Sequence, residues 1–208
     1  MSEKDNKRFW QRFAGIYGPV MNKSSRKLYE GISSRIGRHL NPDMKVLELA
    51  CGTGQMSYLL YSQVSLWEAT DFSEAMIKEA KKKNHSYRLH FSVQDATKLP
   101  YAAESFDAVV ISNALHIMPH PEKALAEIKR VLKPDGLLFA PTFVHGESAG
   151  FRVRVKLMEL VGFHTYHKWN AGELMGFISR QGFRIIEHKV LGDNLAPLCY
   201  VAAKVSSS

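Results

Sequence analysis

Two cysteines occur in 208 residues, Cys51 and Cys199, so no disulfide framework holds this chain together. No apolar run approaches the ~20 residues of a membrane span. The first residues are polar and charged and lack the apolar core of a secretory leader; with so few thiols, this predicts a reducing, cytoplasmic setting. Cysteine pairs at zinc-module spacing are missing. Pro119 and Pro121 flank His120 and keep His116 and His120 from forming a helical metal pair. His164 and His167 stand three apart with nothing else nearby at ligand spacing, so no metal is predicted. Neither a nucleophilic triad nor an internal repeat or linker appears, and the length suits one domain with a full core. Acidic residues are the minority, 20 against 28 Lys and Arg. Residues 1–40 hold nine Lys and Arg against three Asp and Glu, so this arm carries most of the net +8.

The chain is organised around Val46-Leu47-Glu48-Leu49-Ala50-Cys51-Gly52-Thr53-Gly54-Gln55. Its first half is a short buried-strand run; two glycines then turn the backbone, and Gln55 to Leu60 reads as the start of a helix. Strand, glycine turn and helix in that order form the nucleotide corner of a doubly wound sheet. The acidic Glu48 sits near the end of the strand, and a second strand, Leu66–Thr70, leads to Asp71, 23 residues further on. A carboxylate at the tip of a second strand is placed to accept both hydroxyls of a ribose. Arg88–Ser92 and Phe106–Ser112 read as the third and fourth strands.

Four ordered segments, VLELACGTGQ at 46–55, ATDFSEAMI at 69–77, QDATKLPYAAESFDAVV at 94–110 and EIKRVLKPDGLL at 127–138, resemble a class I S-adenosylmethionine-dependent methyltransferase of the small-molecule type. Within that superfamily the chain is similar to quinone and phospholipid methyltransferases. The resemblance implies an α/β, Rossmann-like, seven-stranded and mostly parallel sheet with an antiparallel terminal strand. It implies S-adenosyl-L-methionine as cofactor, held by Glu48, Ala50, Cys51, Gly52 and Gly54 of the loop, Asp71, Phe72 and Met76 after the second strand, Asp95 and Ala96 after the third, and Ser112 after the fourth. Ala50 departs from the family pattern, which has glycine there, and Asp135 stands where glycine is common.

The chain divides into an N-terminal helical arm (1–40), a cofactor-binding core (41–143), a substrate-side insertion (144–182) and a terminal strand pair (183–205). In the arm, Phe9, Trp10, Phe13, Ile16 and Tyr17 recur at helical spacing opposite basic residues. FAGIYGPVMN resembles the aromatic N-terminal segment of quinone methyltransferases, which implies a lid with Tyr17 near the methyl group. A basic amphipathic helix also suits peripheral contact with an anionic lipid surface. Residues 24–39 read as a second helix with a Leu28, Ile32, Ile36 and Leu40 stripe. A helix from Glu122 is followed by a Lys133–Gly136 turn and a fifth strand to Phe143; Ala171–Gln181 forms a helix closed by Gly182, and strands at 183–190 and 196–204 end the fold.

The expected reaction is in-line methyl transfer to a small molecule, with Tyr17, His116 and His145 as candidates to orient or deprotonate the acceptor. Methylation of nucleic acid is the rival suggested by the basic arm. Ser112-Asn113-Ala114-Leu115 argues against it, because it departs from the Asn/Asp-Pro-Pro-aromatic signature of base-amino methyltransferases. A non-catalytic cofactor-binding protein of the same fold is the other alternative.

Overall fold

The computed structural model describes residues 26–144, 165–192 and 197–206, together with Gln11. Helix α1 (Arg26–Gly37) precedes strand β1 (Lys45–Leu49) and helix α2 (Gln55–Leu60). Strand β2 (Leu66–Asp71), helix α3 (Glu74–Lys81), strand β3 (Leu89–Val93) and strand β4 (Phe106–Ile111) follow. Helix α4 (Pro121–Val131) leads directly into β5 (Leu132–Phe139) and the two-residue β6 (Thr142–Phe143). Helix α5 (Ala171–Arg180) and the strands β7 (Phe183–Leu191) and β8 (Leu198–Val205) complete the described residues.

The strands form one sheet in the order β3-β2-β1-β4-β5-β8-β6, with β7 on β8. Strands β1 to β5 are parallel, whereas β8 runs antiparallel to β5, β6 and β7. The sheet has eight strands where the sequence predicts seven. Pro141 has no N–H to give a ladder, so the expected fifth strand breaks there and its last two residues pair with β8 as β6.

The apolar runs of β1 and β4 are buried on both faces, because successive side chains alternate across a strand. Val46, Ala108 and Val110 meet Ile32 and Ile36 of α1, Leu60 of α2 and Ile77 of α3 in one layer. Leu47, Leu49, Val109 and Ile111 meet Leu125 and Ile128 of α4 and Ile178 of α5 in the other. This parity puts Glu48 on the Val46 face, towards α2.

Helix boundaries follow local chemistry. Ser73 caps α3 by accepting from the Met76 amide, and Pro121 occupies the first turn of α4, where its missing N–H is harmless. Asn170 and Glu173 form a reciprocal capping box on α5, and Gly182 ends that helix region with φ 86°. The predicted turn at Lys133–Gly136 is instead a bulge inside β5: Phe106 pairs with Leu132 and Ala108 with Leu137. Asp107, between those pairs, accepts from the Lys45 amide (2.8 Å) and from Lys133 Nζ (2.6 Å), tying three strands together.

The buried face of α1 is Tyr29, Ile32, Ser33 and Ile36, so Tyr29 takes the place that the sequence pattern assigns to Leu28. At and just beyond its last turn the helix is tied to β7. The Glu187 carboxylate accepts from Arg35 (3.0 Å), Arg38 (3.0 Å) and His39 (3.1 Å), and Arg35 also lies over the Tyr200 ring.

Ile128 is fully buried between α4 and the sheet, while Leu59 is 41% exposed. We expect Ile128→Ala to cost about 2–5 kcal/mol in urea denaturation, and Leu59→Ala less than about 0.5 kcal/mol.

Candidate functional site

The glycine loop is built between the ends of β1 and β2. The Cys51 amide donates to the Thr70 carbonyl, and the Gly54 amide returns to the Cys51 carbonyl (both 2.9 Å). Ala50 (φ 53°), Gly52 (φ 57°) and Gly54 (φ 83°) all take left-handed backbone. At Gly54 the turn also leaves no room: a Cβ would lie 3.0 Å from the Phe91 and Tyr58 rings. Ala50 holds the same conformation with a side chain, at a cost of about 1–2 kcal/mol.

Two buried carboxylates face each other across this loop. Asp71 Oδ2 accepts from the Gly52 amide and Oδ1 from the Ser73 amide (both 2.9 Å). Glu48 Oε2 accepts from Ser57 Oγ (2.5 Å) and from Trp67 Nε1 (2.8 Å). Burial pushes the Asp71 carboxyl up to about 6, although both amides hold it down. Burial pushes Glu48 to about 7; its two donors oppose the rise and the Asp71 charge adds to it.

Both carboxylates line a cleft of about 570 Å³, counting the part open to solvent, at the carboxyl ends of β1, β2 and β4. The place is where open α/β sheets bind ligands. Ala50, Cys51, Gly52, Phe72, Met76 and Ser112 line it as well. The predicted residues Gly54, Asp95 and Ala96 are not among its lining residues. Asp95 is exposed, and its Oδ1 accepts from the Thr97 amide (2.8 Å) and hydroxyl (2.7 Å), closing a turn.

His116 is not on the cleft wall either. It sits in a 3₁₀ turn, Leu115–Ile117, where residues three apart share a face. Ala114 and Ile117 therefore line the cleft, while His116, 7% exposed, lies edge-on to Phe143. This rotation turns His116 away from the cleft that Ala114 and Ile117 line. Tyr17 and His145 lie outside the described residues.

Tyr29 and Gln55 line the cleft without having been predicted to do so, and Asn113 lines it at the carboxyl edge to which the sequence has the fourth strand deliver it. Asn113 has left-handed backbone (φ 54°) pinned by its amide on the Pro141 carbonyl (2.8 Å), and its Nδ2 donates to the Tyr29 hydroxyl (3.5 Å). The buried Gln55 Nε2, Ser112 Oγ and Asn113 Oδ1 have no hydrogen-bond partner among the described residues. Buried polar atoms are seldom left so, which marks this wall as one that meets a ligand. The one signal available in the sequence was position: Gln55 follows the glycine turn and Asn113 follows β4.

The donor set fits S-adenosylmethionine. Asp71 spends one lone pair of each oxygen on backbone amides and keeps the others for a diol, and two acidic groups suit a cationic ligand.

Residues 47–140 match the methyltransferase domain family, and the architecture is a Rossmann-like, mostly parallel sheet with antiparallel terminal strands. Among its relatives is the demethylmenaquinone methyltransferase of Renibacterium salmoninarum, 43% identical over 112 residues that cover 53% of this chain and 46% of that protein. The ubiquinone/menaquinone biosynthesis C-methyltransferase of Bordetella avium is 36% identical over 135 residues, covering 62% and 52%. The chain thus spans about half the length of these curated relatives. Among solved structures, an S-adenosylmethionine-dependent methyltransferase from Thermotoga maritima has a TM-score of 0.73 at 22% identity, covering 96% of this chain and 99% of that one. A methyltransferase in complex with the Haloferax volcanii Trm112 activator has a TM-score of 0.77 at 16% identity, covering 95% and 98%.

Two expectations follow. Ala50→Gly removes a Cβ from left-handed backbone and should stabilise the protein by about 1 kcal/mol, seen as a higher melting temperature. For Glu48, the folded value near 7 lies above the ordinary 4.5, so the folded state holds a proton that the unfolded chain has released. Its contribution to stability is full below about 4.5 and falls as pH rises to about 7. Glu48→Gln should therefore flatten, without abolishing, the loss of stability between pH 5 and pH 7.5 in urea titrations, because Asp71 still titrates.

Proposed function

We propose that this chain transfers the methyl group of S-adenosylmethionine to a small-molecule acceptor. The observation that carries this reading is Asp71, fixed at the tip of β2 by two backbone amides and lining the cleft beside the glycine loop. When bound, S-adenosylmethionine supplies a methyl group already activated by a sulfonium for in-line displacement. The chain's own contribution is to align and enclose rather than to attack. Asp71 accepts the ribose hydroxyls, Phe72 and Met76 pack the base side, and the Glu48 and Asp71 carboxylates favour a cation in the cleft.

The similarity to quinone methyltransferases makes a hydroxylated aromatic ring the first acceptor class to test. Such an acceptor is lipophilic, and the basic arm suits an approach from an anionic lipid surface. Another solved structure of this fold, the magnesium protoporphyrin IX methyltransferase of Synechocystis, contains S-adenosylhomocysteine, in keeping with this cofactor choice.

The test has two parts. Asp71→Ala removes a charged acceptor worth about 1.5–3 kcal/mol, so calorimetry with S-adenosylhomocysteine should show roughly 10- to 100-fold weaker binding. Methyl-labelled cofactor incubated with the protein and a reduced demethylnaphthoquinone should then give a labelled lipid product. Unchanged affinity in the variant removes the ribose assignment.

A further inference from the structure

The cleft holds two carboxylates and no base. Among its described lining residues there is no Arg, Lys or His, and Glu48 and Asp71 are 1% and 6% exposed. The other titratable groups on its wall are Cys51, from the glycine loop, and Tyr29, from α1. The remaining elements around Glu48 bring no charge to it: Ser57 comes from α2, Trp67 from β2, Met76 from α3, and β4 sets Val110 opposite. Ionised, Glu48 therefore has no positive neighbour among the described residues, and its one charged neighbour, Asp71, is of like sign.

The two carboxylates are held differently. Asp71 has a backbone amide on each oxygen. Glu48 receives both of its donors, the Ser57 hydroxyl and the Trp67 indole, on Oε2, and no hydrogen bond from the described residues reaches Oε1. A buried carboxylate with one bare oxygen and no counter-ion resists ionising. Burial accordingly pushes Glu48 up to about 7; its two donors oppose the rise and the Asp71 charge adds to it. A cation entering the cleft supplies the missing charge and favours loss of that proton.

Cofactor and product differ in this charge. When the methyl group moves to the acceptor, the sulfur keeps the bonding pair and becomes a neutral thioether, and the acceptor gives up a proton. Resting on the methyltransferase reading, we propose that Glu48 discriminates cofactor from product: ionised, it favours the sulfonium over the thioether, and protonated, it does not. Entry of S-adenosylmethionine drives the proton off Glu48. Methyl transfer removes the positive charge, so S-adenosylhomocysteine leaves a cleft that takes the proton back. Glu48 thereby links the exchange of product for fresh cofactor to pH around neutrality, a role separate from that of Asp71 as the ribose anchor.

Two calorimetric measurements on the full chain test this, and the first needs no variant. Near pH 7, titrations in two buffers of different ionisation enthalpy give the protons released on binding. S-adenosylmethionine should release more than S-adenosylhomocysteine, and equal release overturns the proposal while the methyltransferase reading stands. The second measurement is the ratio of the two affinities against pH. In the unmodified chain the preference for S-adenosylmethionine should grow about tenfold between pH 5.5 and pH 8.5, and a flat ratio overturns the proposal. Glu48→Gln keeps an acceptor for Ser57 and Trp67 and loses the charge. Its ratio should grow less than about threefold, because only Asp71 still titrates. A rise in the variant equal to that of the unmodified chain assigns the effect elsewhere and overturns the role of Glu48. Failure of the unmodified chain to bind either ligand at any pH removes the methyltransferase reading and this proposal with it.

Discussion

The hydrogen bonds from the Gly52 and Ser73 amides to the two oxygens of Asp71 join the parts on which the site depends. One fastens the glycine loop to the tip of β2, and the other fastens the start of α3. A carboxylate held from both sides cannot swing away, and its remaining lone pairs keep a fixed direction. The loop in turn sets where Gln55 begins α2, and so where Ser57 stands to donate to Glu48. Without this clamp the cleft would have the same residues and no defined shape.

The clamp is costly in solvation. Two carboxylates, 1% and 6% exposed, occupy one site, and their raised pKa values are the measure of that cost. Glu48 sits on the Val46 face because of strand alternation, and only Ser57 and Trp67 make its burial tolerable. The left-handed backbone at Ala50 and Asn113 adds strain on either side. Costs of this kind, gathered at one sheet edge, are typical of functional sites.

The core of this fold was legible in the sequence because β1 and β4 are continuous apolar runs and the glycine loop sits between strand and helix. The break at Pro141 and the bulge at 133–136 were less so, since a Lys-Pro-Asp-Gly segment reads as a turn whether or not its neighbours stay paired. Asp71 was read from its place at the tip of the second strand and Phe72 and Met76 from the resemblance, and all three line the cleft. Tyr29 was missed because a stripe starting at Leu28 fits helical spacing almost as well. The direction of His116 was not legible, because the 3₁₀ turn rotates each residue by about 120° where a strand would alternate. Asp95 shows the same limit: an aspartate after a strand closes a turn as readily as it meets a base.

Helix α1 spans about 18 Å at 1.5 Å per residue and behaves as a stiff rod. Near one end, Tyr29 forms part of the cleft; beyond the other, Arg35, Arg38 and His39 converge on Glu187 of β7. The far, antiparallel margin of the sheet is thereby geared to the cofactor wall through a single lever. A shift of that margin is therefore carried along the rod to the cleft wall.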